Sequence, residues 1–121
     1  MNFLDVMARD GSVMTGDTEL TVGRGIHDAV ARASSSNIKL GIRPEFVEVH
    51  AEPVEGGMPA RVDHAQDLGT YSIVYLTLGS VSLKARIEED QVTPTEQAWL
   101  RFPDAHLGLY VDEYRVEFDH E

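Results

Sequence analysis

Histidines, paired carboxylates, serines, lysines and closely set glycines are the residues in this chain that could do chemistry, and their spacing decides whether they do. The five histidines are His27, His50, His64, His106 and His120. No two are set as H-x-x-x-H or H-E-x-x-H, the spacing that places two imidazoles on one helix face around a metal. His64 lies near Asp63 and Asp67, which could hold a metal or relay a proton. A strand, however, turns Asp63 and His64 to opposite faces, so a surface histidine is expected. Glu88 and Glu89 are paired carboxylates in a polar stretch, without the apolar enclosure that tunes a carboxyl for acid–base work. Ser34, Ser35 and Ser36 lack the G-x-S-x-G elbow that exposes a nucleophile. A phosphate loop needs G-x-x-x-x-G-K-[ST]. The two lysines, Lys39 and Lys84, are followed by Leu40 and Ala85, and Gly23-Arg24-Gly25 has no third glycine in place. With no cysteine in the chain, disulfides and thiolate metal sites are excluded.

The charge balance narrows the partners. Ten Lys and Arg stand against 21 Asp and Glu, a net charge of −11. Such a surface repels nucleic-acid phosphates and anionic lipid, which are met by clustered basic residues. Tyr71, Tyr75, Trp99, Tyr110 and Tyr114 could stack on bases, but no basic residues cluster among them, so nucleic acid is not expected as a partner. The N-terminus has neither a basic nor an apolar signal region, and no apolar run approaches the ~20 residues that span a bilayer. A soluble single domain in a reducing compartment is the expectation.

The elements that must position these residues are mainly strands. Leu4, Val6 and Ala8 alternate with Asp5 and Arg9, Asp10-Gly11 supplies a turn, and Val13–Thr15 and Leu20–Val22 complete a small meander. Ile26, Ala29, Val30 and Ala33 recur at helical spacing and predict one short helix, ended by the Ser34–Asn37 run. Ile38, Leu40 and Ile42 open a stronger series that continues through Val47 and Val49, Met58–Ala65, Tyr71–Leu78, Val81–Ile87 and Ala98–Phe102. Leu107–Val111 and Tyr114–Phe118 form a closing hairpin around Asp112-Glu113. About nine or ten short strands with exposed edges are best served by closure. The expected fold is therefore all-β: an OB-like small barrel over 38–121, with residues 1–37 as a strand-rich appendage carrying the helix.

Leu40-Gly41-Ile42-Arg43-Pro44-Glu45 opens an ordered set of motifs. Ala60–Gly69 follows as a strand ending in a Leu-Gly turn, then Gly79–Arg86, then Phe102–Tyr110. This order resembles the C-terminal regulatory domain, of the TOBE/MOP type, in ATP-binding subunits of carbohydrate-importing ABC transporters, and Met1-Asn2-Phe3 resembles its opening. Two positions depart: Phe46 stands where the family often has His, and Leu107-Gly108-Leu109-Tyr110-Val111 stands for the usual L-H-L-F-D. The tail from Tyr110 to Val116 looks more like the branch serving glycerol, glycerol 3-phosphate and related polyols or sugars.

The resemblance implies a non-catalytic domain with no cofactor and no metal of its own. ATP and Mg would belong to an ATPase part upstream of Met1. Partners would be a second copy or a related ATP-binding subunit, with membrane permease subunits reached through that ATPase part, at the cytoplasmic face of a bacterial membrane and without insertion. Pro44 fixes its own φ and holds Arg43 extended. Arg43 and Glu45 would then either bond across this corner or reach a neighbouring subunit. Gly69 would supply a turn that a side chain would hinder. The aromatic hairpin is the expected contact surface, since aromatics are enriched at interfaces. The alternative is a sensor of a small oxyanion or sugar, which would require Arg43, Arg61 or Arg86 to gather despite the acidic surface.

Overall fold

A computed structural model describes residues 1–33, 36–91 and 93–116. Its strands are β1 (Asn2–Asp5), β2 (Met7–Arg9), β3 (Ser12–Thr15), β4 (Thr18–Leu20), β5 (Ile38–Ile42) and β6 (Glu48–His50), then β7 (Met58–Asp67), β8 (Tyr71–Leu78), β9 (Val81–Glu88), β10 (Gln97–Arg101), β11 (Gly108–Val111) and β12 (Tyr114–Val116). One helix, α1 (Arg24–Arg32), and single 3-10 turns at Pro44–Phe46 and Asp104–His106 complete the elements. The all-β, OB-like expectation holds. Four strands run β1-β5-β11-β12, five run β6-β10-β7-β8-β9, and β2-β3-β4 form the meander. Residues 117–121, among them Phe118 of the expected closing hairpin, and Ser34 and Ser35 lie outside the described residues. No helix among the described residues is long and apolar enough to cross a membrane.

Alternation built the larger sheets as expected. Leu83, Ala85 and Ile87 of β9, Val74, Leu76 and Leu78 of β8, and Ala98, Leu100 and Phe102 are buried in a core that also takes Leu4, Leu40, Ile42 and Leu109. The junction between the two large sheets is made by a side chain. Asn2 donates Nδ2–H to the Lys84 carbonyl at 2.7 Å and accepts the Lys84 N–H on Oδ1 at 2.9 Å. A single carboxamide thus substitutes for the strand-to-strand bonds that β1 and β9 do not make, and Asn2 is buried in doing so.

The amino-terminal strand is shorter than its alternation suggested. Leu4 and Val6 are buried, but Ala8 is exposed. The Val6 N–H bonds to the Ile38 carbonyl, after which the chain leaves β5 and enters the meander. β1 therefore belongs to the barrel sheet, opposite β5 in the register Leu4–Leu40. The line drawn at residue 37 does not separate it from the barrel; residues 7–32 are what stand apart as meander and helix. Even these share the core, through Val13, Leu20, Ile26 and Val30. Burial of Ile26 and Val30 contributes about 1.5–3 kcal/mol each.

Two glycines fasten this segment to the barrel. The first turn of α1 contains no acid, and its N-terminus is met instead by Asp104, whose Oδ1 accepts the Gly23 N–H at 3.0 Å. A carboxylate there opposes the positive end of the helix dipole. A Cβ at Gly23 would fall 1.5 Å from Asp104 Oδ2 and turn that carboxylate away from the helix. Gly79, in the β8–β9 turn at φ +62°, has Thr18 of β4 packed against it so closely that a Cβ would lie 1.9 Å from Thr18 Oγ1.

Candidate functional site

The motif residues Leu40 to Glu45 occupy β5 and the corner after it, where period-two alternation divides them by face. Leu40 and Ile42 are fully buried in the core. Gly41 and Arg43 point to the outer face. Arg43 has φ −74° and ψ 147°, the extended geometry that a following proline enforces. Pro44 opens the 3-10 turn, closed by the Phe46 N–H on the Arg43 carbonyl at 3.0 Å. Glu45 then points away: it borders a depression shared with Val47, His50, Arg86 and Asp90, while Arg43 borders another with Tyr110 and Arg115. No hydrogen bond or ion pair joins Arg43 to Glu45 among the described residues. Gly69 is not part of this group. It caps the β7–β8 hairpin at φ +97°, donating its N–H to Asp67 Oδ1 at 2.9 Å.

On the outer face Phe3, Gly41 and Gly108 lie opposite one another in register. Phe3 meets Tyr110 edge-on, with centroids 5.5 Å apart and planes at 77°, a favoured aromatic geometry. The two rings and the Met1 thioether close over Gly41, where a Cβ would come within about 3.0 Å of all three. Phe46, the departure from the expected His, lies flat on His106 at 3.8 Å and 3°. Phe3 remains 50% exposed on this face; Tyr114 of the closing hairpin is 78% exposed but lies opposite Val111 and hence in line with Ile38, on the other face of the sheet. In the sequence Phe3 stands only within the opening Met1-Asn2-Phe3, with nothing to place it on this face. Its pairing with Tyr110 spans 107 positions and leaves no local signal.

A β-bulge overturns one expectation. The β7–β8 register shifts between Val62 and His64, so Asp63 and His64 do not face opposite ways. The extra residue brings both to the outer side, bordering one depression with Tyr75. His64 stacks on Tyr75 at 4.2 Å. Asp63 accepts the Thr77 hydroxyl at 2.6 Å and the Arg61 Nε–H at 2.8 Å. The Thr77 bond, followed by the Arg61 bond, lowers the Asp63 pKa below the ordinary aspartate value. These are structural partners on an exposed sheet face. Among the described residues no three His, Asp or Glu side chains converge to hold a metal. Nor do Arg43, Arg61 and Arg86 gather: Arg61 is paired with Asp63, Arg86 with Glu88 and over the Tyr71 ring, and each of the three borders a different depression.

Residues 40–109, from the first motif residue to the centre of β11, match the TOBE domain. The chain belongs to the TOBE domain family. Such a domain is not itself catalytic. This TOBE domain is similar to the sn-glycerol-3-phosphate import ATP-binding protein UgpC of Salmonella typhi, with 30% identity over 117 residues, covering 93% of this chain and 32% of that protein. It is also similar to UgpC 2 of Agrobacterium fabrum, with 36% identity over 75 residues, 61% of this chain and 20% of that protein. The chain spans about a third or less of the length of these relatives.

Proposed function

We propose that this TOBE domain is the C-terminal regulatory and dimer-stabilising part of an ATP-binding subunit, in an ABC importer of sn-glycerol 3-phosphate or a related sugar or polyol. The observation that carries the reading is the alignment of 93% of the chain with under a third of an import ATP-binding protein. In this reading ATP and Mg bind the remainder of the subunit. Permease subunits are met through that remainder, at the cytoplasmic face of the membrane. The domain hydrolyses nothing and contributes a barrel whose exposed aromatics, Phe3 on the outer face and Tyr114 on the edge strand β12, meet a second copy or a related subunit. Exposed aromatics of this kind are suited to the core of an interface.

The test uses the full-length subunit that contains this chain. Phe3→Ser with Tyr114→Ser is expected to raise the monomer fraction in size-exclusion light scattering and to reduce glycerol 3-phosphate uptake in cells. Each isolated ATP site should still bind nucleotide. An upstream coding sequence without a phosphate loop would overturn the transporter assignment. Unchanged assembly of the double variant would overturn the contact role.

A further inference from the structure

One row of side chains crosses the outer face of β7, β8 and β9, with His64 opposite Tyr75 and Tyr75 opposite Lys84. The bulge after Val62 brings His64 into this row, and its ring lies on Tyr75 with the planes only 14° apart. Strand β1 bounds the row on the Lys84 side. Asn2 turns inward to bond the Lys84 backbone, so its neighbours Met1 and Phe3 turn outward, where they stay 55% and 50% exposed. Between the rings and β1 a depression of ≈ 370 Å³ opens at the seam of the two large sheets, within the ~300–1,000 Å³ of small-molecule sites.

Its charged groups are unequally satisfied. Asp63 borders it, but its carboxylate already accepts from Arg61 and Thr77, and Arg61 matches its charge. Arg86, two residues beyond Lys84 on the same face, pairs with Glu88 and lies over the Tyr71 ring. Among the described residues no ion pair holds Lys84, in a chain with 21 acidic side chains for ten cations. The depression thus sets one unmatched ammonium among aromatic and apolar walls.

We infer that this seam binds a small aromatic monocarboxylate, its ring against the His64–Tyr75 stack and Phe3 and its carboxylate on the Lys84 ammonium. Aromatic walls favour a stacked or edge-on ring. The ammonium offers three donors to the two carboxylate oxygens and matches a single charge; a second anionic group would face Asp63 unmatched. A polyol carries no charge for Lys84 to meet. The net charge of −11 opposes anions at long range, but at physiological salt that field is screened within about 8 Å, so the local groups decide. The inference does not depend on the transport reading.

The test is an NMR titration of the 121-residue chain at pH 7 and constant ionic strength, with benzoate, its neutral analogue benzamide, and acetate as probes. Benzoate is expected to saturate with Kd on the order of 1 mM, moving the amide signals of Tyr75, Leu76 and Lys84. Benzamide should bind about fivefold more weakly, for want of a charge-assisted bond, and acetate should not saturate. K84Q should bring benzoate down to the affinity of benzamide and leave benzamide unchanged. H64A should weaken both ring compounds about threefold or more, through the lost stack. R32Q, an unpaired cation elsewhere, should alter nothing. Non-saturating benzoate shifts, benzamide or acetate binding as tightly as benzoate, an unaffected K84Q or H64A, or an equal loss in R32Q would each overturn the inference. The spectra report in the same experiment that each variant is folded. Phe3, the proposed subunit contact, is kept in every variant, so failure here leaves that contact standing.

Discussion

Replacing Asn2 by Ala removes both bonds that join β1 to β9 and tests whether one carboxamide closes the barrel. The side chain makes one bond to the Lys84 carbonyl and one to the Lys84 N–H. At about 1 kcal/mol net for each bond, the loss is about 2 kcal/mol. It rises toward 3 kcal/mol if water cannot reach the Lys84 peptide once Asn2 is gone. For a domain of this length that corresponds to a fall in Tm of roughly 8–12 °C. Asn2→Asp refines the test, being nearly isosteric. Its carboxylate still accepts the Lys84 N–H but presents a negative oxygen to the Lys84 carbonyl, where the amide donated. Only the protonated acid can donate there, so the folded state raises the pKa of this new carboxyl above its unfolded value. The variant's deficit relative to wild type should therefore shrink as pH falls through the folded pKa. It should be full above that pKa and smallest below the unfolded value. Urea unfolding of wild type, N2A and N2D from pH 3 to 8 measures both effects. An N2A variant within about 0.5 kcal/mol of wild type, the usual range for surface changes, would refute the closure argument.

Gly69 and Gly79 both sit at positive φ, but only Gly79 faces a neighbour within 4 Å. Gly69→Ala should cost about 1–2 kcal/mol from backbone strain alone, and Gly79→Ala a further 1–3 kcal/mol from overpacking on Thr18; chemical denaturation compares the two. Gly23→Ala should push the Asp104 carboxylate aside and cost about as much as Asp104→Ala, about 1 kcal/mol as a lost helix cap, while adding little to it. Additive effects in that double-mutant cycle would rule out the contact. Thr77→Ala removes the chief cause of the lowered Asp63 pKa. NMR titration should show that carboxyl returning toward the ordinary aspartate range. Because the native pKa is depressed, the stability linked to Asp63 is present above the unfolded value and lost as pH falls through the folded one, and T77A should diminish that loss.

What the sequence disclosed was whatever is carried by local period. The alternation of Val81, Leu83, Ala85 and Ile87 with Ser82, Lys84, Arg86 and Glu88 predicts the buried face of β9, whereas Tyr71–Leu78 is apolar on both faces and leaves the inner face of β8 to the fold; the spacing of Ile26 and Val30 predicts the inner face of α1. Asp10-Gly11 and Asp112-Glu113 are turn signals, and the positive φ of all four residues fits two-residue hairpins. What escaped was set by contacts distant in sequence. Nothing near Val6 signals that the chain must leave one sheet for another, because the deciding bond comes from Ile38. The bulge at Asp63 is invisible to a strict period of two. Gly23 reads as a loop residue until Asp104, 81 positions away, is seen to fill the space where its side chain would be.

The motif at 40–45 shows how far local reading can go and where it stops. Its residue types foretold a strand, a fixed corner and two charged groups beside the proline, and each of these is present. They did not tell that the corner separates the charges. Had Arg43 and Glu45 bonded to each other, the motif would be a self-contained brace and the neighbouring strands would be indifferent to it. Instead Pro44 holds Arg43 with the outer aromatics and Arg115, and the 3-10 turn carries Glu45 round to an acidic groove that includes Asp90 and Glu88. In a chain of net charge −11, that division sets a depression with no carboxylate among its described lining residues beside a carboxylate-rich one, on either side of one corner. The partner of Arg43 is thus selected by the sheet that β5, β11 and β12 build, which is why Arg115, with no motif around it, could be found only in the fold.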